Sequence, residues 1–181
     1  MNREEAFALI KENLKQANLV KHSLAVEACM IALAKHFQED QEMWGLAGLL
    51  HDLDYDSTYD DPDNHTLQTV RMLEPFNLAP EILNSIKAHN HKAELNSRMD
   101  IALYCIDPTT GFITACALMH PSKKLENVNL KRMKKRFKEK AFAKGANRDQ
   151  IRECSKIGLE LEEFLMSCLG AMQEISDNLG L

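Results

Sequence analysis

In the segment AGLLHDLDYD (47–56) a strongly apolar stretch runs directly into the pair His51-Asp52. An ionisable pair at the end of a buried helix needs compensation for the water it loses. A divalent cation supplies it, because the ion offsets the carboxylate charge and takes the imidazole lone pair. Three more of the seven histidines, His22, His65 and His89, lie where such a site would want them, and Asp107 offers a second carboxylate. Imidazole nitrogen with carboxylate oxygen suits Fe, Mn, Co, Ni or Zn, and Mg accepts the oxygens.

Each residue alone has a plainer reading. A histidine near an apolar face is more often a satisfied core or surface residue. Asp107 precedes Pro108-Thr109-Thr110-Gly111, and an Asp before proline makes an ordinary helix N-cap. The combination is what points to a metal.

The elements that must position these residues read as helices throughout. Apolar spacing places helices over 3–16, 20–37 (His22 in its first turn) and 41–52, the last apolar on most sides and therefore central. Residues 53–63 form an acidic loop. Further helices follow at 64–74, 79–90, 97–106 and 109–119, each bounded by Pro, Asn, Asp or Gly. A basic stretch covers 121–146, and a long helix runs from 147 to 177, breaking or bending near Gly158 or Gly170. The expectation is an all-α, multi-helix bundle in one domain over 1–181, with the motifs in 20–113 and the basic segment and last helix in 121–181.

Composition agrees. Apolar residues make up 45% and aromatics only 6%, a balance that favours helix over strand. The net charge of −5 argues against a dedicated nucleic-acid binder. Five cysteines form no CxxC pair, which fits free thiols in a reducing cytoplasm. No uninterrupted apolar run approaches the roughly 20 residues that span a bilayer. No feature of the sequence specifies an oligomeric state.

The ordered set His22, His51-Asp52, Asp107 resembles the HD-domain superfamily of metal-dependent phosphohydrolases. VKHSLAVEACMIALAKHF (20–37) looks like the family's first helix, LLHDLDYD its central motif, and ALYCIDPTTGFI (102–113) the segment bearing the last Asp. NHTLQTVRML (64–73) and SIKAHNHKAEL (85–95) are similar to the added histidine segments of binuclear members, the nearest likeness being to symmetrical diadenosine tetraphosphate hydrolases. The resemblance implies one or two divalent ions. His22, His51, Asp52 and Asp107 would hold the first, Asp52 would bridge, and His65 with His89 would hold the second. His91, two residues on, is expected to face solvent.

The implied activity is hydrolysis of a phosphoester or phosphoanhydride in a nucleotide or small phosphate. A divalent ion makes hydroxide available at neutral pH by lowering the pKa of bound water, from about 15.7 to about 7 for zinc. The chain departs from some branches: no Gly-Tyr-Pro segment follows, and Tyr55 stands where the five-prime-nucleotidase branch has Glu. A di-iron oxygenase and a non-catalytic nucleotide-binding or regulatory module are the alternatives.

A phosphate substrate also needs cations. Lys87 lies near His89, Arg71 lies in the His65 segment, and residues 121–145 hold ten Lys/Arg against two Glu. Most of that run reads as a solvated amphipathic helix, so Lys87, Lys123 and Lys124 are the substrate-binding candidates. Within the acidic stretch, Asp56 is the candidate catalytic carboxylate beside Asp52, as a general acid or a partner behind a ligating histidine.

Overall fold

The first helix, α1 (Arg3–Asn13), opens on a capping box in which Asn2 and Glu5 each accept the other's backbone N–H, and it buries Ala6 and Ile10. The structure, a computed structural model, describes residues 1–181 and contains helices without strands. The second helix, α2 (Ala17–Phe37), ends where Gln38 turns left-handed at φ 58°. Asp40 then starts α3 (Gln41–Leu50) by accepting the N–H groups of Glu42 and Met43. Every residue from Trp44 to Leu50 is buried, so α3 is the central helix its composition suggests.

Two glycines set how closely α3 lies on α2. A Cβ at Gly48 would fall 2.9 Å from Met30 Cγ and 3.1 Å from the Glu27 backbone; one at Gly45 would fall 3.0 Å from Ile31 Cγ1. Met30 could yield, but the Glu27 backbone cannot without moving α2. Gly48→Ala should therefore cost about 1–3 kcal/mol, as overpacking does, and push His51 away from His22. Thermal denaturation checks this; an unchanged Tm would contradict it.

Within the acidic stretch lies a short helix, α4 (Tyr55–Thr58). It is followed by α5 (Leu67–Leu73), a 3-10 turn at Glu74–Phe76, and α6 (Pro80–His89) with Pro80 in its first turn. The next helix, α7 (Arg98–Leu118), starts on a Ser97–Asp100 capping box. The buried Asp100 carboxylate also accepts from the side chains of Asn84 and Ser85, tying α6 to α7.

Where the sequence suggests two helices, 97–106 and 109–119, α7 is continuous, and Asp107 sits mid-helix instead of capping. An interior proline deprives the carbonyl four residues back of its donor. Gln150 repairs this, its Nε2 donating to the Tyr104 carbonyl at 2.7 Å.

Beyond α7 come α8 (Leu130–Phe137), α9 (Arg148–Arg152), a 3-10 segment at Glu153–Ile157, α10 (Leu161–Glu174) and α11 (Ser176–Leu179). The long helix expected over 147–177 breaks at the first of the two expected glycines. Gly158, left-handed at φ 82°, ends the 3-10 segment, whereas Gly170 lies inside α10. Helix α8 buries Met133 and Phe137, the solvated amphipathic arrangement expected of most of the basic run.

One apolar core of 43 buried residues extends from Ala6 to Leu179. By length and composition α2 and α7 could each cross a membrane, with mean hydropathies of 1.3 and 1.4, although charged residues interrupt both. Here they pack on each other inside the bundle. Their chemistry-bearing residues, His22 and Asp107, meet across that packing.

Candidate metal centre

Five parts of the fold deliver six side chains to one place. His22 lies in the second turn of α2. His51 and Asp52 follow the last residue of α3, His65 precedes α5, His89 ends α6, and Asp107 is midway along α7. Asp52 stands between two pairs of imidazoles. Its Oδ2 lies 3.3 Å from His51 Nε2 and 3.6 Å from His22 Nε2. Its Oδ1 lies 3.3 Å from His65 Nε2 and 3.5 Å from His89 Nε2. Asp107 Oδ1 joins the first pair, 3.1 Å from His22 Nε2.

The far nitrogen of each ring is already engaged. His51 Nδ1 meets the Gly48 carbonyl at 2.8 Å, and His89 Nδ1 meets the Ile86 carbonyl at 2.7 Å. A carbonyl oxygen can only accept, so both rings carry the proton on Nδ1 and turn a bare Nε2 inward. His65 Nδ1 lies 2.8 Å from Asp54 Oδ1, and His22 Nδ1 lies 3.1 Å from Thr110 Oγ1. The backing of His51, His89 and His65 by carbonyl or carboxylate is how ligating histidines are oriented.

Imidazole nitrogens facing one another share either a proton or a cation. His51 Nε2 and His22 Nε2 are 3.2 Å apart. Neighbouring donors on one ion, each bonded at about 2.0–2.1 Å with tetrahedral or octahedral angles, lie about 2.8–3.4 Å apart. His22, His51 and Asp107 bring one donor atom each within 4.8 Å of one another, and so do His51, Asp52 and His89. The residues therefore fit divalent metal.

Without metal, protons serve the same carboxylates. Burial works against the charged forms of His65 and His22. The hydrogen bonds of His65 to Asp52 and Asp54 nevertheless raise its pKa to about 9, and Asp107 raises that of His22. Burial likewise opposes ionisation of Asp52 and Asp107, but the facing imidazoles hold Asp52 well below the usual carboxylate range and Asp107 below it. A histidine with a raised folded-state pKa stabilises fully below its unfolded value and loses that contribution as pH climbs through the folded one. Metal-free protein should accordingly lose Tm as pH rises from 6.5 to 9. Divalent ions, which bind the deprotonated rings, should stabilise more at the upper end. Calorimetry of metal-stripped protein checks this; a flat or rising Tm over that window would contradict it. The two carboxylates act in the opposite sense but only at acid pH, as protonation sets in.

Other candidates from the sequence fall elsewhere. The Asp56 carboxylate accepts from the backbone N–H groups of Lys15 and Gln16 and from Gln16 Nε2. It fastens the junction of α1 and α2 and does not join the cluster. Asp54, two residues earlier, takes the place behind a ligating histidine. Its Oδ2 also accepts the Thr69 N–H, while its own N–H donates to Thr69 Oγ1. Lys123 and Lys124 are exposed beyond the end of α7. Asp107 lies eleven residues before Leu118 in that helix, about 16 Å at its usual rise, so continuity of α7 removes both lysines from the site. Neither Lys87 nor Arg71 lines the cavity over the cluster.

That cavity has a volume of about 390 Å³ and is rimmed by Tyr55, Asn90, His91, Gly145 and Gln150. The Tyr55 ring packs edge-on to His65. Its pKa is raised by burial and by Asp52, so the phenol keeps its proton as a donor. His91 is exposed, as expected. However, α6 stops at His89, and a left-handed turn at φ 59° folds His91 against Tyr104 at the cavity mouth. The sequence carries no periodic signal for these rim residues, because they sit on turns and at helix ends.

Among family models, that of the HD domain matches residues 19–141, more than half of the chain and all six clustered side chains. The chain belongs to the HD domain family. Members of this family are mostly metal-dependent hydrolases and bind divalent ions. Comparison with curated proteins and with solved structures returned no match. The HD pair of this chain is His51-Asp52, and its central position here agrees with the family's name.

Proposed function

We propose that this HD domain is a phosphohydrolase holding two divalent ions, which cleaves a phosphoester or phosphoanhydride bond in a nucleotide or related small phosphate. The observation that carries the reading is the two-sided environment of Asp52, with one oxygen facing His22 and His51 and the other facing His65 and His89. In the first half His22, His51 and Asp107 would bind with Asp52 Oδ2; in the second, His65 and His89 with Oδ1. Ions held there supply Lewis acidity for phosphoryl oxygens and a nucleophile at neutral pH.

The chain's own groups do the rest. Asp52 keeps the two halves in register, and the Nδ1 contacts of the four histidines stop the rings from turning. Tyr55 presents a phenolic donor to a phosphoryl oxygen at the mouth of the cavity, and the buried base of that cavity limits water. A cavity of about 390 Å³ suits a small molecule. Five free, buried cysteines are in keeping with a reducing cytoplasm.

The test is the ion content of protein purified without added metal, followed by turnover of a phosphoester panel with Mn, Co, Ni, Fe, Zn and Mg. Two equivalents per chain and hydrolysis by the loaded protein are expected. One equivalent with full activity would leave His65 and His89 as substrate contacts. A metal-replete protein inactive across the panel would overturn the hydrolase, and an oxygen-sensitive visible band would favour di-iron chemistry.

A further inference from the structure

Two more cavities adjoin the one over the cluster. One, of about 370 Å³, lies between α7 and the 143–146 segment and shares His22, Asp107, Pro108 and Gly145 with it. The other, of about 280 Å³, lies between α2 and α7 and is reached over His22 and Gly111. Gly111 is the threshold. It stands one turn beyond Asp107, about 6 Å along the helix, and a Cβ there would meet nothing within 4 Å. Packing therefore does not demand a glycine. A mid-helix glycine costs about 0.5–1 kcal/mol relative to alanine, and its visible effect is to keep the passage open.

Past the threshold lies Lys21. Its side chain is half-buried, lines the smaller cavity and places Nζ against Gly180. No carboxylate pairs with it and no carbonyl accepts from it. An ammonium that lines a cavity and has no partner in the protein is free to take an anion there. Beside it the cavity is lined by Asn18, Thr110 and Thr114, with His22 at the threshold and Leu181 next to Gly180.

We propose that Lys21 binds a second anionic group of the substrate, passed over Gly111, so that the preferred substrate is an organophosphate that carries another anion. This rests on the phosphate-substrate reading above. It replaces Lys87, Lys123 and Lys124, which line none of these three cavities, with Lys21, whose cavity adjoins the cluster. The second anion is a phosphate or a carboxylate, and both satisfy the same ammonium.

Metal-loaded full-length protein, with ion content checked in every variant, should be titrated calorimetrically with the non-cleavable methylenephosphonate analogues of three probes. Glycerol 3-phosphate is the reference, 3-phosphoglycerate adds a carboxylate, and 1,3-propanediol bisphosphate adds a phosphate. Wild type should favour at least one bis-anion over the reference tenfold or more, and the preferred probe identifies the anion. Lys21→Met should bring that ratio to about one, Lys21→Arg should retain most of it, and Gly111→Leu should reduce it by closing the passage. Equal affinities for all three probes in wild type, or a ratio unchanged in Lys21→Met, would overturn the assignment. Failure to hydrolyse any phosphoester would instead strike the proposed activity, since the affinity ratio is read without turnover.

Discussion

Replacing Asp52 with Asn should leave the chain folded, cut its ion content from two equivalents to at most one, and lower phosphohydrolase turnover by at least about a thousandfold. Loss of a residue that merely orients a ligand costs 10–100-fold. Asp52 is asked for more, because each of its oxygens serves a different pair of imidazoles. Asparagine keeps one acceptor oxygen, offers N–H groups where the other stood, and carries no charge. It can therefore serve one half at best, and it leaves cations in the other uncompensated. The same substitution has a signature without metal. Asp52 is the partner that contributes most to raising the His65 pKa, so the loss of Tm between pH 6.5 and 9 should shrink in Asp52→Asn. Ion analysis, turnover and calorimetry of one preparation read all three effects. A variant that keeps two equivalents and normal turnover would remove Asp52 from the centre.

What the sequence made legible follows from which interactions are local. His22, His51, Asp52, His65, His89 and Asp107 could be named together because the resemblance spans their segments in order, and the structure brings all six into one cluster. The helical register of α2, α3 and α6 is equally local, since apolar spacing writes it into the chain. The errors trace to contacts distant in sequence. Pro108 reads as a helix start because a proline interior to a helix strands a carbonyl; only the fold shows that Gln150, 46 residues away from Tyr104, satisfies it. Lys123 and Lys124 were credible while a helix began near Asp107, and that premise failed with the break. Asp54 and Asp56 alternate in an acidic stretch without periodicity, so no local signal says which turns inward. The turn after α3 decides: Tyr55 N–H bonds back to the Asp52 carbonyl, the next residues enter α4, and Asp54 is fully buried while Asp56 reaches the α1–α2 junction.

The Asp54 carboxylate offers a sharper test of the second half of the centre, because both of its oxygens meet donors. Oδ1 takes the Nδ1 proton of His65 at 2.8 Å and Oδ2 takes the Thr69 N–H at 2.9 Å. Asparagine is nearly the same shape but cannot do both. With its oxygen toward His65, its amide N–H groups oppose the Thr69 N–H, a buried donor–donor clash that costs about 1–3 kcal/mol. With its amide toward His65, Nδ1 must become the acceptor, which moves the ring proton to Nε2 and removes the lone pair a metal needs. Either arrangement weakens the half made by His65 and His89, by about 10–100-fold in affinity as for other residues that orient a ligand. The half made by His22, His51 and Asp107 has its own supports, at Gly48 and Thr110. Asp54→Asn should thus hold one equivalent as tightly as wild type and release the other during dialysis, with turnover restored in part by excess metal. Asp56→Asn, altered at the α1–α2 junction, should keep both ions. Equal retention of two ions by Asp54→Asn would mean that His65 does not depend on this carboxylate for its tautomer, and loss of both together would mean that the halves are not separable.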